Sequence, residues 1–235
     1  MLELDHLVIA AATLAEGAAW CERVFDIAPA AGGKHAFMGT HNLLFSVASA
    51  RFPTAYAEII AIDPEGIAPP QPRWFGLDAP ALQRALASGP QLVHWVARTV
   101  DISATTAALR AAGIDPGDVT AAERCTPRGM LRWQIGLRAD GQRLFGGALP
   151  TLIQWGDAHP CDTLPDGGVA LECLLLAGLS AAAHAALGET EGVTLSRVAA
   201  NEASLAAAPL RARLRSPRGE VWLAATRLAD PASAA

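Results

Sequence analysis

One order of segments recurs three times along the 235 residues: a strand-like run, a helical run, then further strand-like runs. A repeated unit constrains the fold more than any single motif, because each copy must bury its apolar face against a neighbour. The first copy opens with the strand Leu4-Asp5-His6-Leu7-Val8-Ile9-Ala10-Ala11. Leu14, Ala18, Cys21 and Phe25 follow at helical spacing, with Thr13 as N-cap and Glu16 completing a capping box. Gly32-Gly33 reads as a turn, and strands are expected over 41–47 and 56–62. Pro64 and the proline-rich stretch 68–72 close the copy.

The second copy begins with the strand Leu92-Val93-His94-Trp95-Val96-Ala97-Arg98. A helix is expected over 102–112, ended by Gly113, and strands over 131–137 and 149–155. Trp133 and Ile135 alternate there against Arg132 and Gln134, as in a half-buried strand. The third copy is fainter: a strand over 169–176, a helix over 180–187 ended by Gly188, and short strands over 193–198, 210–215 and 220–225. The reading is an α+β chain with a first module at 1–64, a linker with a short helix at 65–90, a second module at 91–156 and a third, degenerate module at 169–228. The tail from Asp230 is read as frayed.

Composition excludes several classes of function. With 51% hydrophobic and 17% charged residues, the chain has ample apolar surface to bury, and global disorder is excluded. Lys and Arg number 18 against 23 Asp and Glu, with no basic run, so nucleic acid is not an expected partner. No apolar run approaches the roughly 18 residues of a membrane span, and Met1-Leu2-Glu3-Leu4-Asp5-His6 is acidic where a signal peptide would be basic. The four cysteines include no C-x-x-C pair. A soluble cytoplasmic protein is expected.

The chemistry-bearing residues repeat with the modules. His6 and His94 each stand third in the opening strand segment, and Glu58 and Gln154 interrupt otherwise apolar strands at the end of each module. A carboxylate or amide buried there needs a partner. With Gly39-Thr40-His41-Asn42 and Pro72-Arg73-Trp74-Phe75-Gly76-Leu77-Asp78, these segments resemble the vicinal oxygen chelate superfamily of glyoxalases, bleomycin-resistance proteins and extradiol dioxygenases, in its glyoxalase-like domain branch.

The resemblance implies βαβββ modules, two of them paired into an open curved barrel, with the degenerate third module added. It implies a divalent metal ion (Zn, Ni, Mn or Fe) held by His6, Glu58, His94 and Gln154. Glu58 is then the candidate base, since an amide such as Gln154 takes no proton at neutral pH. The expected substrate is a small metabolite with vicinal oxygens, turned over by an isomerase, lyase or ring-cleaving dioxygenase, with His41, Arg73 and Trp133 around it. A metal-free small-molecule binding or sequestering protein of the same fold is the alternative. His35 is expected at the surface, and His159 in a loop. The third module carries Cys173 where the others carry histidine, so it is expected to bind no metal and to serve packing, either on the outside of the barrel or in a homodimer.

Overall fold

The computed structural model describes residues 2–126, 129–188, 190, 193–196 and 208–225. The first module is β1 (Glu3–Ala10), α1 (Leu14–Phe25), β2 (Ala30–His35), β3 (Thr40–Ser46) and β4 (Tyr56–Ile62). After α2 (Pro80–Leu86) come β5 (Gln91–Arg98), α3 (Ile102–Ala111), β6 (Asp118–Thr126), β7 (Gly129–Leu137) and β8 (Thr151–Trp155). The third stretch holds β9 (Ala170–Ala177), α4 (Ala181–Leu187), β10 (Val193–Ser196), β11 (Leu210–Ser216) and β12 (Gly219–Ala224). The expected continuation of β10 to Val198, and the tail, lie outside the described residues.

Eight strands form one sheet in the order β2-β3-β4-β1-β5-β8-β7-β6. Each module contributes four neighbours, and the modules join where β1 runs antiparallel to β5. β1 is also parallel to β4, so it lies in the middle of the sheet. A strand covered on both faces reads as a continuous apolar run, and all of β1 after Glu3 is buried. The sheet curls into a nearly closed barrel, the α+β architecture that the resemblance implies. Its end strands β2 and β6 meet through side chains: a Cβ built on Gly33 would lie 2.6 Å from Arg124 Nη1.

The curl leaves two apolar layers. On the concave side Val8, Ile60, Val96, Ile135 and Ile153 pack with Trp74, Phe75, Leu82 and Leu86 of the linker. On the convex side Leu7, Ile9, Trp95 and Leu152 pack with Phe25 of α1, Leu109 of α3, and Leu171, Leu174 and Leu210 of the third stretch. Thr13 caps α1 as expected, its hydroxyl accepting from the Glu16 amide at 3.1 Å. Among the described residues no helix is long and apolar enough to cross a membrane.

Three local outcomes differ from the sequence reading. Gly32-Gly33 is no turn: it lies inside β2, where pairing with β3 slips between Ala31 and Lys34. The chain reverses after it, through 36–39. β6 was not anticipated, because Asp118–Thr126 mixes alanine with charged residues and lacks a clean apolar alternation. The third stretch repeats the order of elements but not the wiring. Its sheet runs β10-β9-β11-β12, with the strand after the helix directly beside β9, whereas β2 and β6 stand at the far edges of their modules. That sheet lies against the convex side of the barrel, and the Leu171 amide donates to Val47 O at 2.9 Å.

Candidate functional site

The polar residues that the concave face buries cluster at the β1 end of the first module. Register with β5 slips between Leu4 and His6, which leaves Asp5 as a bulge residue. A bulge re-aims side chains, and here Asp5 and His6 turn to each other. Asp5 Oδ1 lies 2.7 Å from His6 Nδ1, while Asp5 Oδ2 accepts from Trp155 Nε1 at 2.9 Å and lies 3.0 Å from His159 Nε2. Burial would raise the Asp5 pKa. The hydrogen bonds from His159 and His6, with the charge of both rings, more than offset it and hold the carboxyl well below the usual range. An ionised Asp5 accepts only, so His6 Nδ1 is the donor and His6 Nε2 is left facing inward.

His6 Nε2 faces Glu58 Oε2 at 3.7 Å. Val8 pairs with Glu58 in the parallel β1–β4 ladder, which puts the carboxylate one rung from the histidine on the same face. The other Glu58 oxygen accepts from Asn42 Nδ2 at 2.6 Å. Asn42 is fixed in turn by the Gly33 amide, which donates to its Oδ1 at 2.7 Å. The β2 bulge explains its two glycines. A Cβ on Gly32 would lie 2.0 Å from Asn42 Oδ1, and one on Gly33 would meet Arg124. His35 is buried here, correcting the surface expectation. Its Nε2 lies 3.9 Å from Glu58 Oε1, and its Nδ1 lies 3.1 Å from Thr40 Oγ1. Burial first, then the nearby charge of Arg124, pushes the His35 pKa down to about 3, so the ring is neutral at pH 7.

These groups surround a cavity of about 30 Å³, also walled by Trp133, Trp155 and Trp74. That space holds a water molecule or two. Beyond it a cleft of about 430 Å³ opens between β2, the β6–β7 hairpin and the loop at 158–164. Leu44, Arg124, Leu131 and Pro160 line both spaces, so they form the partition between them.

The other expected site residues, Trp133 excepted, lie elsewhere. His94 shares the concave face with His6, since Val8 pairs with His94 and Val96 with His6. Its Nε2, however, accepts from the Thr151 amide at 3.1 Å. Burial, then the charge of Arg143, lowers its pKa to about 3. Phe75 stands against its ring at a centroid distance of 5.3 Å, and Trp74 stacks on Phe75 at 5.2 Å. The linker aromatics therefore fill the barrel between His94 and the Glu58 cluster. Gln154 is on the opposite face, where its Oε1 accepts from the Ile102 amide at 2.9 Å and caps α3. Register identifies the residue that stands where Gln154 was expected: Val8 pairs with Glu58 and Val96 with Thr151, so the second-module counterpart of Glu58 is Thr151.

His41 also faces outward, its Nδ1 3.9 Å from Asp63 Oδ1. Arg73 clamps its own loop through Asp78 at 2.7 Å. Trp133 does line the small cavity, tilted against Trp155 at 5.6 Å. Sequence reasoning missed Asp5, His35, Asn42, Arg124 and His159. Asn42 alone carried a usable signal, as a polar residue two positions before Leu44 on a strand.

A divalent ion held by all four expected residues does not fit this arrangement. Gln154 is on the wrong face, His94 Nε2 already accepts a backbone amide, and two aromatic rings lie between. Among the described residues no group of three or more His, Cys, Asp and Glu side chains is placed to hold a metal ion. Only His6 and Glu58 remain as a converging pair.

The profile of the glyoxalase-like domain matches residues 4–191. No curated protein matches the chain. Among solved structures, a hypothetical protein from Staphylococcus aureus is 16% identical over 76% of this chain and 70% of its own, with a TM-score of 0.48. Methylmalonyl-CoA epimerase from Mycobacterium tuberculosis is 18% identical over 66% of this chain and 88% of its own, with a TM-score of 0.38. The Streptomyces coelicolor epimerase in complex with 2-nitronate-propionyl-CoA is 18% identical over 68% of this chain and 99% of its own, with a TM-score of 0.42.

Proposed function

The chain belongs to the glyoxalase-like domain family, and we propose that it acts within that family on a small oxygenated metabolite by proton transfer between Glu58 and His6. The observation that carries this reading is the buried line Asp5–His6–Glu58 at the inner end of a cleft. Asp5 takes the Nδ1–H of His6 and fixes the ring, so that Nε2 and Glu58 Oε2 face each other with 3.7 Å between them. That gap is too long for a hydrogen bond and wide enough to admit a reacting group beside both atoms.

A ketone with an adjacent oxygen entering from the cleft would place its C–H bond towards Glu58. Glu58 takes the proton, the C–H electron pair becomes the carbon–carbon double bond of an enol, and the carbonyl π pair moves onto oxygen. That oxygen takes a proton from His6 in its doubly protonated form, with Nδ1–H on Asp5 and Nε2–H on the oxygen. Asn42 holds one Glu58 oxygen and leaves the other free to act. Trp74, Trp133 and Trp155 wall the small cavity and leave room there for no more than a water molecule or two beside the reacting atoms.

A second reading has a specific observation in its favour. Two atoms 3.7 Å apart, one imidazole nitrogen and one carboxylate oxygen, suit two neighbouring ligands of one divalent ion. His6 and Glu58 would hold that ion, with Asp5 as the carboxylate that orients the histidine. Such an ion would supply Lewis-acid polarisation of the substrate oxygen.

The test uses hydroxyacetone in heavy water and follows loss of its carbon-bound proton signals by NMR. The wild-type protein is expected to accelerate exchange, and Glu58→Gln to lower that rate by about 100-fold or more. Exchange at the wild-type rate in Glu58→Gln would overturn the assignment of the base.

A further inference from the structure

Arg124 gives the cleft a chemical preference. It lies on β6 opposite Leu131 in the β6–β7 ladder, and both side chains point into the barrel. Its guanidinium stands on the partition between the small cavity and the cleft. Gly33 leaves room for it, and among the described residues its side chain makes one hydrogen bond, a long one from Nη1 to Asn42 Oδ1 at 3.4 Å. Arg124 Nε is buried with no hydrogen-bond partner. Arg98, Arg132, Arg138 and Arg218 each pair with a carboxylate. Among the described residues Arg124 forms no such ion pair. A guanidinium held inside a barrel with no carboxylate in ion-pair contact is a binding group for an anion, and a carboxylate matches its geometry.

The rest of the wall narrows the ligand further. Ala30, Ala31, Leu44, Met130, Leu131 and Leu164 make most of it apolar. Among the described residues Asp162 is the one acid on the wall, and its Oδ2 is turned back to accept from the His159 amide at 2.8 Å. We infer that the cleft takes a carboxylate with an apolar body, its carboxylate on Arg124 and the adjoining carbonyl turned inward to Glu58 and His6. The inference rests on the cleft being the route to that pair, and it narrows the substrate class to 2-oxo acids with an apolar side chain.

The test compares two probes by calorimetry, phenylpyruvate and phenylacetone, which share the aryl group and the ketone and differ in the carboxylate. Wild-type protein is expected to bind phenylpyruvate about tenfold tighter or more, the margin of a charge-assisted hydrogen bond. Arg124→Gln should bring the two affinities together by weakening phenylpyruvate alone, and Arg124→Lys should restore part of the preference. Circular dichroism of both variants checks that the barrel is intact. Equal affinities in the wild-type protein, or a preference that survives Arg124→Gln, would overturn the role of Arg124 while leaving the cleft as the binding site. Binding of neither probe would overturn both. Glu58→Gln separates the two claims, since it is expected to keep the carboxylate preference and lose proton exchange.

Discussion

Glu58 is a carboxylate buried near His6, His35 and Asn42 in a cavity walled by Trp74, Trp133 and Trp155. Asn42 supplies one of its few donors at 2.6 Å, so Asn42→Ala leaves that oxygen without a partner. Urea denaturation should show a loss of about 1–3 kcal/mol, as for a buried charged acceptor deprived of its donor. Acid sensitivity follows from three buried groups of the barrel. His35 and His94 each fall from 6.5 to about 3 on folding, so the unfolded chain binds these protons first. Their contribution is complete above pH 6.5 and is lost as pH drops towards 3. Asp5 acts at lower pH, because its carboxyl is depressed below 3.8, and its contribution is lost only as pH falls through the folded value. Stability should therefore begin to fall below about pH 6.5, well before ordinary carboxylates protonate. His35→Gln and His94→Gln should flatten the limb between neutral pH and the carboxylate range. A flat limb in the wild-type protein would contradict the burial of both rings as neutral groups.

At the scale of elements, the strands and helices that alternate cleanly or carry caps could be read from sequence, and the two edge strands could not. β2 is Ala-Ala-Gly-Gly-Lys-His, without a β-branched or aromatic residue, and its strand character comes from pairing with β3. Missing β2 and β6 hid His35 and Arg124, since a residue's face is unknown until its strand is. Gln154 failed for a different reason. The run at 149–155 reads as a strand from its first residue, but β8 begins at Thr151, and the β5–β8 register puts Thr151 level with Glu58. Period two makes such a shift decisive, because one step turns a side chain to the other face. The linker connects the modules and also plugs the barrel. Phe75 sits at φ 57 with its ring in the barrel, a left-handed conformation held by the packing around it. Phe75→Ala should cost about 3–5 kcal/mol as a buried aromatic truncation, measurable by thermal or urea unfolding. A loss under about 1 kcal/mol would show that the ring does not brace the two halves.

For the whole molecule, the recurring order of segments marks a strand-helix-strands unit and the family resemblance implies its pairing into a barrel, while the third stretch joins by a route the order alone does not specify. Its Leu171, Leu174 and Leu210 are fully buried in the same convex layer as α1 and α3. The apolar face that suggested a partner chain is thus covered within the chain itself. Removing residues 169–235 should bare that layer, and light scattering should show an aggregating fragment with a lowered melting temperature. A monomeric fragment that melts like the full chain would show that the third sheet is dispensable to the fold.

At the same scale, the modules share a barrel but not a symmetrical centre: the first holds Asp5, His6 and Glu58, and the second answers with Thr151 and a histidine bound to backbone. The most direct measurement of this account is solvent-deuterium exchange into hydroxyacetone by protein stripped with a chelator, run beside the untreated protein. Exchange should persist at the untreated rate, because Glu58 and His6 supply the proton transfer themselves. A fall to the buffer rate, restored by one equivalent of a divalent ion, would contradict the metal-free account and establish the His6–Glu58 pair as a metal site.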